Sequence, residues 1–246
     1  MEAESTVRLP GDVCVKIIHL ADPKTANFSL QKKQCDLWEF VWGTSLLTAS
    51  FLASLQLPGC SMLEIGGGSG LCSLSAALHS SLDHVTMTDL VADAVNMCQR
   101  SAIANNISNM SFKTLDWNLK EEWNTFDIVV ASDVLFYRGT VCPVAETFNA
   151  VLKQGGIGIL TDPFRLNTDE FESKLSDLGF VTETFLFLPE RLTQAQNLQE
   201  QAFIDVKKVK MLLFRKPIAD TPSKLLDEMW AHIHDILPAF VQPEIE

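Results

Sequence analysis

The chain has 246 residues, 47% hydrophobic and 20% charged. This is enough apolar material for one large core and too much for wholesale disorder. A formal net charge of -12 argues against a nucleic-acid binder, which needs clustered Lys and Arg, and suits a basic, lysine-rich protein partner or plain solubility.

The N-terminus, MEAESTVRLPGD, has no apolar run and does not read as a secretory signal. Strand-like pieces follow around Val13 to His19 and Phe28 to Leu30, with Asp22-Pro23 as the turn between them. A helix is predicted from Asp36, as N-cap with Glu39 as capping partner, to about Leu57. Its stretch from Phe40 to Leu57 lacks charge, but its hydroxyls make it a buried helix rather than a membrane span of roughly 20 apolar residues.

Strands and helices then alternate. Strands are predicted at Ser61–Ile65, His84–Thr88, Met110–Leu115, Asp127–Ala131 and Ile157–Thr161. The intervening helices are Leu71–Ser81, Val91–Asn105 and Val141–Leu152, the last closed by Gly155-Gly156; Asp169–Leu178 follows. Val181–Phe187 and Val206–Phe214 are the last strands, joined by a polar stretch, 188–205, that predicts an antiparallel final strand. A further helix is expected at Leu225–Ile236, capped by Thr221 or Ser223. Non-alternating apolar strands between helices imply an α/β, Rossmann-like parallel sheet covered on both faces. The organisation read from this is an N-terminal extension over 1–36, a main domain over 37–216 and a helical tail over 217–246.

Six cysteines occur without a C-x-x-C pair, and the five histidines do not cluster with acids at metal spacing. No metal site is expected. Free thiols in a reducing, intracellular setting are, with the cytoplasm foremost and nucleus or mitochondrion open.

The strongest motif is LEIGGGSGL, Leu63 to Leu71. A buried strand carries Glu64 near its end and runs into Gly66, Gly68 and Gly70 before a helix begins. Glycines let the backbone turn sharply and approach a ligand closely, and a helix N-terminus offers free N–H groups. A dinucleotide loop would carry a third glycine where Leu71 stands, and Glu64 would repel a pyrophosphate. Glu64 instead suits a cation, the ammonium and sulfonium of S-adenosylmethionine.

Asp89, Asp116 and Asp133 each fall at the C-terminal end of a predicted strand, where open α/β sheets bind ligands. Asp89 is placed to accept two ribose hydroxyls, and Asp116-Trp117 to receive and cover an adenine. Each acid alone could be a cap or loop residue. The third motif is SDVLFY, Ser132 to Tyr137. Ser132 is counted with the cofactor-binding residues, and Asp133, Phe136 and Tyr137 are the candidates for orienting a methyl acceptor, with either aromatic open for that contact. Methyl transfer needs alignment and desolvation more than a strong base. Trp42 could cap the pocket or sit in the core.

In VWGTSLLTASFL (Val41 to Leu52), LEIGGGSG, TDL (Thr88 to Leu90), LDWN (Leu115 to Asn118) and SDVLFY, the chain resembles the class I seven-strand methyltransferases, and more narrowly methyltransferase family 16. The resemblance implies the sheet order 3-2-1-4-5-7-6, cofactor contacts from Trp42, the glycine loop, Asp89 and Trp117, and an Asp-x-x-Tyr/Phe motif at Asp133 and Phe136 serving an acceptor lysine. Phe136 stands where tyrosine is commoner, and Tyr137 follows it. TDPFR (Thr161 to Arg165) is similar to an Asp-Pro element of members acting on mitochondrial flavoprotein partners. The expected activity is S-adenosylmethionine-dependent N-methylation of a protein lysine by a monomer that engages neither nucleic acid nor membrane. The alternatives are a small-molecule or other-residue methyltransferase, a binding module without turnover and, most distantly, a nicotinamide-dependent oxidoreductase.

Overall fold

The computed structural model describes residues 2–21, 36–119, 123–197, 207–217 and 223–243. The chain opens with an antiparallel hairpin of β1 (Glu2–Leu9) and β2 (Val13–Leu20). Its turn holds Gly11 and Asp12 at φ 86° and 62°, the left-handed pair that suits hairpin twist. β2 therefore pairs with the segment before it. The expected Phe28–Leu30 piece lies outside the described residues.

The predicted long helix from Asp36 divides. A 3-10 turn spans Asp36–Glu39, Trp42 is extended at ψ 143°, and α1 runs only over Gly43–Ser54. The Trp42 indole N–H donates to the Leu37 carbonyl at 2.9 Å, which stabilises the break that the capping pattern did not reveal.

The alternating part follows as β3 (Ser61–Glu64), α2 (Leu71–His79), β4 (His84–Asp89), α3 (Ala92–Ala104), β5 (Met110–Thr114), β6 (Phe126–Ser132), α4 (Val141–Val151), β7 (Leu152–Asp162), α5 (Thr168–Asp177), β8 (Val181–Phe187), α6 (Pro189–Asn197), β9 (Lys210–Arg215), α7 (Lys224–Ile236) and β10 (Val241–Pro243). Gly155-Gly156 do not close α4. They lie inside β7, where Gly155 has φ 77° and the pairing with β6 shifts register, as a bulge does.

These strands form one eight-stranded sheet in the order β10-β8-β9-β7-β6-β3-β4-β5. Counted from β3, seven follow the order 3-2-1-4-5-7-6, and β10 adds an eighth at the β8 edge. β9 is antiparallel to both β7 and β8. Period two sends alternate side chains to opposite faces. Met62, Met87, Val130 and Ile159 pack under α1, α2, α3 and α7, while Leu63, Ile65, Val129 and Leu160 pack with α4 and α5. Val15 and Ile17 of the hairpin and Met229 and Ile233 of α7 enter the first of these cores.

β3, β4 and β5 run outward one way and β6 and β7 the other, so the strand order reverses between β3 and β6. That crevice, at the carboxyl ends of the strands, is where such sheets hold ligands. No helix among the described residues is long and apolar enough to cross a membrane.

Candidate active site

The glycine loop leaves β3 at the switch point. Gly66, Gly68 and Gly70 have φ of 66°, 52° and 72°, a region that side chains with a Cβ rarely adopt. Space is as strict as conformation. A Cβ on Gly66 would stand 2.8 Å from Val134 Cγ1 and 3.0 Å from Trp117 Cζ2, and one on Gly70 would stand 2.1 Å from Cys98 Sγ. The loop is thus wedged between the segment after β5, the segment after β6 and helix α3. Two of the expected site segments, Trp117 and the SDVLFY stretch, meet over Gly66.

Asp89 closes β4 and holds the loop. One carboxylate oxygen accepts the Gly68 N–H at 2.8 Å and the other the Val91 N–H at 2.9 Å. Burial pushes its pKa up against these backbone bonds. Each oxygen keeps a lone pair for a further donor, so the pair of ribose hydroxyls expected there can still be accepted. Trp117 is half-buried, and its indole Nε1 is shut from solvent without a hydrogen-bond partner. An unmade bond of this kind costs about 1–3 kcal/mol, which a ligand acceptor would remove. Asp116 is half-buried and accepts the Asn118 backbone N–H and side-chain amide, both at 2.9 Å, forming a local turn.

Three expectations need correction in detail. Glu64 does not face the crevice. It lies on the α2 side of β3, 2% exposed, with one oxygen accepting the Ser73 N–H at 3.0 Å and the Ser73 hydroxyl. Burial pushes its carboxyl up to about 7. Ser132 turns its hydroxyl into a cluster with Thr48 and Thr161, the last donating to it at 3.1 Å, so it ties α1 to β6 and β7. Trp42 binds Leu37, and the tryptophan beside Gly68 is Trp38: its Cα would be 3.6 Å from a Cβ there. A groove beside the loop is lined by Trp38, Val41, Ser69 and Met97 with Ile18 and Leu20 of the hairpin.

At the other end of the crevice, Asp133 follows β6 with φ 57°. Its side chain is 5% exposed and accepts Arg165 Nε at 2.6 Å. Burial raises its pKa and the Arg165 contact opposes this. Phe136 is half-buried, while Tyr137 is 54% exposed, their ring centroids 6.1 Å apart. Sequence reasoning assigned Arg165 no role. The signal was present: β7 adjoins β6 in the expected order, so the segment after β7 must lie beside Asp133. Among the described residues, no group of three His, Cys, Asp or Glu could hold a metal ion.

Fold and site together define a class I, Rossmann-like S-adenosylmethionine-dependent methyltransferase: the switch-point crevice, the tight glycine cradle, the buried Asp89 beside it and the unpartnered Trp117 indole leave room and polar groups for such a cofactor. Residues 24–170 match methyltransferase family 16, described as lysine methyltransferase, and the chain belongs to this family. It is 26% identical over 152 residues, 60% of this chain and 71% of the other, to protein N-lysine methyltransferase METTL21A of Xenopus tropicalis. It is 28% identical over 150 residues to the calmodulin-lysine N-methyltransferase of Arabidopsis thaliana, covering 56% of this chain and about half (49%) of that protein. Among solved structures, the T. thermophilus 16S rRNA methyltransferase RsmC, in complex with AdoMet and guanosine, aligns with a TM-score of 0.56 at 21% identity over 88% of this chain and 51% of that one. The [4+2]-cyclase SpnF aligns equally well, at TM-score 0.56 and 16% identity over 70% of this chain and 80% of that one. A cyclase on this fold means that architecture alone does not fix the reaction.

Proposed function

We propose that the chain moves the methyl group of S-adenosylmethionine onto the side-chain amine of a lysine in a protein partner, and that Asp133 faces that amine. The carrying observation is the meeting of Val134 with Gly66: the segment bearing Asp133, Phe136 and Tyr137 rests directly on the glycine loop. In this reading the buried Asp133 borders the cofactor cradle on the side away from Asp89, with Phe136 and Tyr137 further out on the same segment.

The cofactor supplies an electrophilic methyl on a positively charged sulfur. In this reading Asp89 accepts the ribose hydroxyls, and Trp117 and Asp116 serve the adenine. The charge of Glu64 acts through the loop on the cationic end. Asp133 accepts a hydrogen bond from the acceptor amine, whose proton has first gone to water. Phe136 and Tyr137 flank the lysine stem and exclude water, which raises the reactivity of a neutral amine. The net charge of -12 supports a basic partner steered by the acidic surface. The unpaired cysteines among the described residues, Cys14, Cys60, Cys72, Cys98 and Cys142, support a reducing intracellular compartment.

The test is transfer of labelled methyl from S-adenosylmethionine into heat-inactivated cell lysate, followed by identification of the labelled residue. Labelled methyl-lysine is expected with the wild-type chain and none with Asp133→Ala. Full activity in Asp133→Ala, or label on another residue type, would sink the assignment.

A further inference from the structure

Two loops form the acceptor end of the crevice. Ser132 pairs with Thr161 across neighbouring parallel strands, so the loops after β6 and β7 start side by side. The Asp133 N–H donates to the Thr161 carbonyl at 2.9 Å. Asp133 and Phe164 both hold left-handed backbone, at φ 57° and 62°, a conformation uncommon for non-glycine residues and kept only where surroundings impose it. What joins the two strained turns is the Arg165 guanidinium on Asp133. Arg165 is itself anchored from behind: Asp162 Oδ1 accepts its backbone N–H at 2.5 Å and the Thr168 hydroxyl at 2.9 Å. A fixed cation is thus clamped to the acid that an incoming amine must meet.

We propose that Arg165 is a positioning residue for the acceptor: it fixes the Asp133 carboxylate through Oδ1 and, by its permanent positive charge, keeps an amine lodged on Oδ2 in the neutral, nucleophilic form. This rests on the reading of Asp133 given above. A lone carboxylate would favour the ammonium, the form with no lone pair to attack. Arginine cannot surrender its proton, so it acts on the amine only as a like charge, which disfavours the ammonium. The amine proton leaves to water. The freed lone pair then forms the N–C bond while the S–C bond breaks and its electron pair stays on sulfur.

Among the described residues, the other charges facing this pair are Asp162 of β7, Lys210 of β9 and, through its 3.4 Å contact with Lys210, Asp169 of α5, with Lys208 and Lys210 both 5.6 Å from the Phe164 ring. Arg138, paired with Glu170 at 2.8 Å, lies at the exposed rim. Asp162 is wholly buried, with Oδ2 unpartnered. It faces Arg165 and Lys210 rather than the entry, so the cation nearest the amine is Arg165.

The experiment compares wild type, Arg165→Met and Arg165→Lys as full chains, with two readouts. Carboxyl carbon NMR of the acceptor-free protein follows the titration of Asp133. The rate of labelled methyl transfer into heat-inactivated lysate is followed from acid to alkaline pH. In Arg165→Met, Asp133 is expected to titrate about one unit or more higher, and the rising limb of the rate profile to move up by about one unit, since one unit is the scale of a neighbouring-charge effect. At alkaline pH the Arg165→Met rate should return to within roughly threefold of wild type, and Arg165→Lys should keep both titrations near wild type. Coincident Asp133 titrations in wild type and Arg165→Met overturn the inference, as does an equal rate loss at every pH, the mark of a merely structural role. If the wild type labels no lysine at any pH, the acceptor reading falls and this inference falls with it. NMR then reports only whether the ion pair forms.

Discussion

Asp89 at the end of β4 and Gly68 of the glycine loop are joined by a 2.8 Å hydrogen bond from the glycine amide to the carboxylate. One acid thus shapes the loop and faces the ligand. Its removal should act twice. Asp89→Ala is expected to weaken S-adenosylmethionine binding by about 100-fold or more, because charge-assisted hydrogen bonds contribute roughly 1.5–3 kcal/mol each. It should also cost about 1–3 kcal/mol of stability by leaving the Gly68 amide without its acceptor. Titration calorimetry reads the first effect and urea unfolding the second. Unchanged affinity would remove Asp89 from the site.

Gly70→Ala tests the back of the cradle. The new methyl would meet Cys98 Sγ at 2.1 Å and Cys98 Cβ at 2.9 Å on backbone at φ 72°. A left-handed alanine costs roughly 1–2 kcal/mol and overpacking a further 1–3. Cys98→Ala combined with Gly70→Ala should recover part of the loss, since it removes the sulfur but leaves both Cβ and the backbone strain. A double-mutant cycle on unfolding free energies checks this; strict additivity would mean that the two residues do not meet in solution.

How legible all this was depends on the kind of information needed. β3 and β6 are short, mainly apolar runs and β4 alternates Val85 and Met87 with threonines; they end in Glu64, Ser132-Asp133 and Asp89, so their existence and the row of acids could be read directly. The direction of Glu64 was also legible by strand parity. Met62 packs under α2, and Glu64, two residues on, shares that face and reaches Ser73. β1 was missed because the inward face of EAESTVRL is carried by the small or partly buried Ala3, Ser5 and Val7, and only Leu9 is fully buried, leaving a weak apolar period. Its signal was the turn, Pro10-Gly11-Asp12. The Arg165 contact depends on two left-handed turns that no periodicity encodes; only the adjacency of β6 and β7 pointed toward it.

The hairpin offers a separate test of cooperativity. Ile17 is 1% exposed in the core beneath α3. Its neighbours are knitted to that helix, with the Lys16 N–H on Asn105 Oδ1 at 3.0 Å and the Ile18 N–H on Ser101 Oγ at 2.9 Å. Ile17→Ala should therefore lower global unfolding free energy by about 2–4 kcal/mol, in a single transition. Loss of the hairpin alone, seen as a separate early transition by hydrogen exchange, would show that the extension folds independently.

Glu64 makes cofactor binding pH-dependent. Burial raises its carboxyl from the ordinary 4.5 to about 7, against the Ser73 bonds. Between those values the folded chain holds a proton that the unfolded chain has lost. Stability from this group is therefore full below about 4.5 and falls as pH rises toward about 7, by at most about 3 kcal/mol. A cation bound above the loop favours the ionised form, so binding should release a proton, and affinity should rise with pH through about 7. Calorimetry at about pH 6.5 in buffers of different ionisation enthalpy reads that proton as a buffer-dependent heat. Glu64→Gln is expected to abolish both the buffer dependence and the fall in stability. Identical heats in all buffers for the wild type would show that the charge beneath the loop does not respond to the ligand above it.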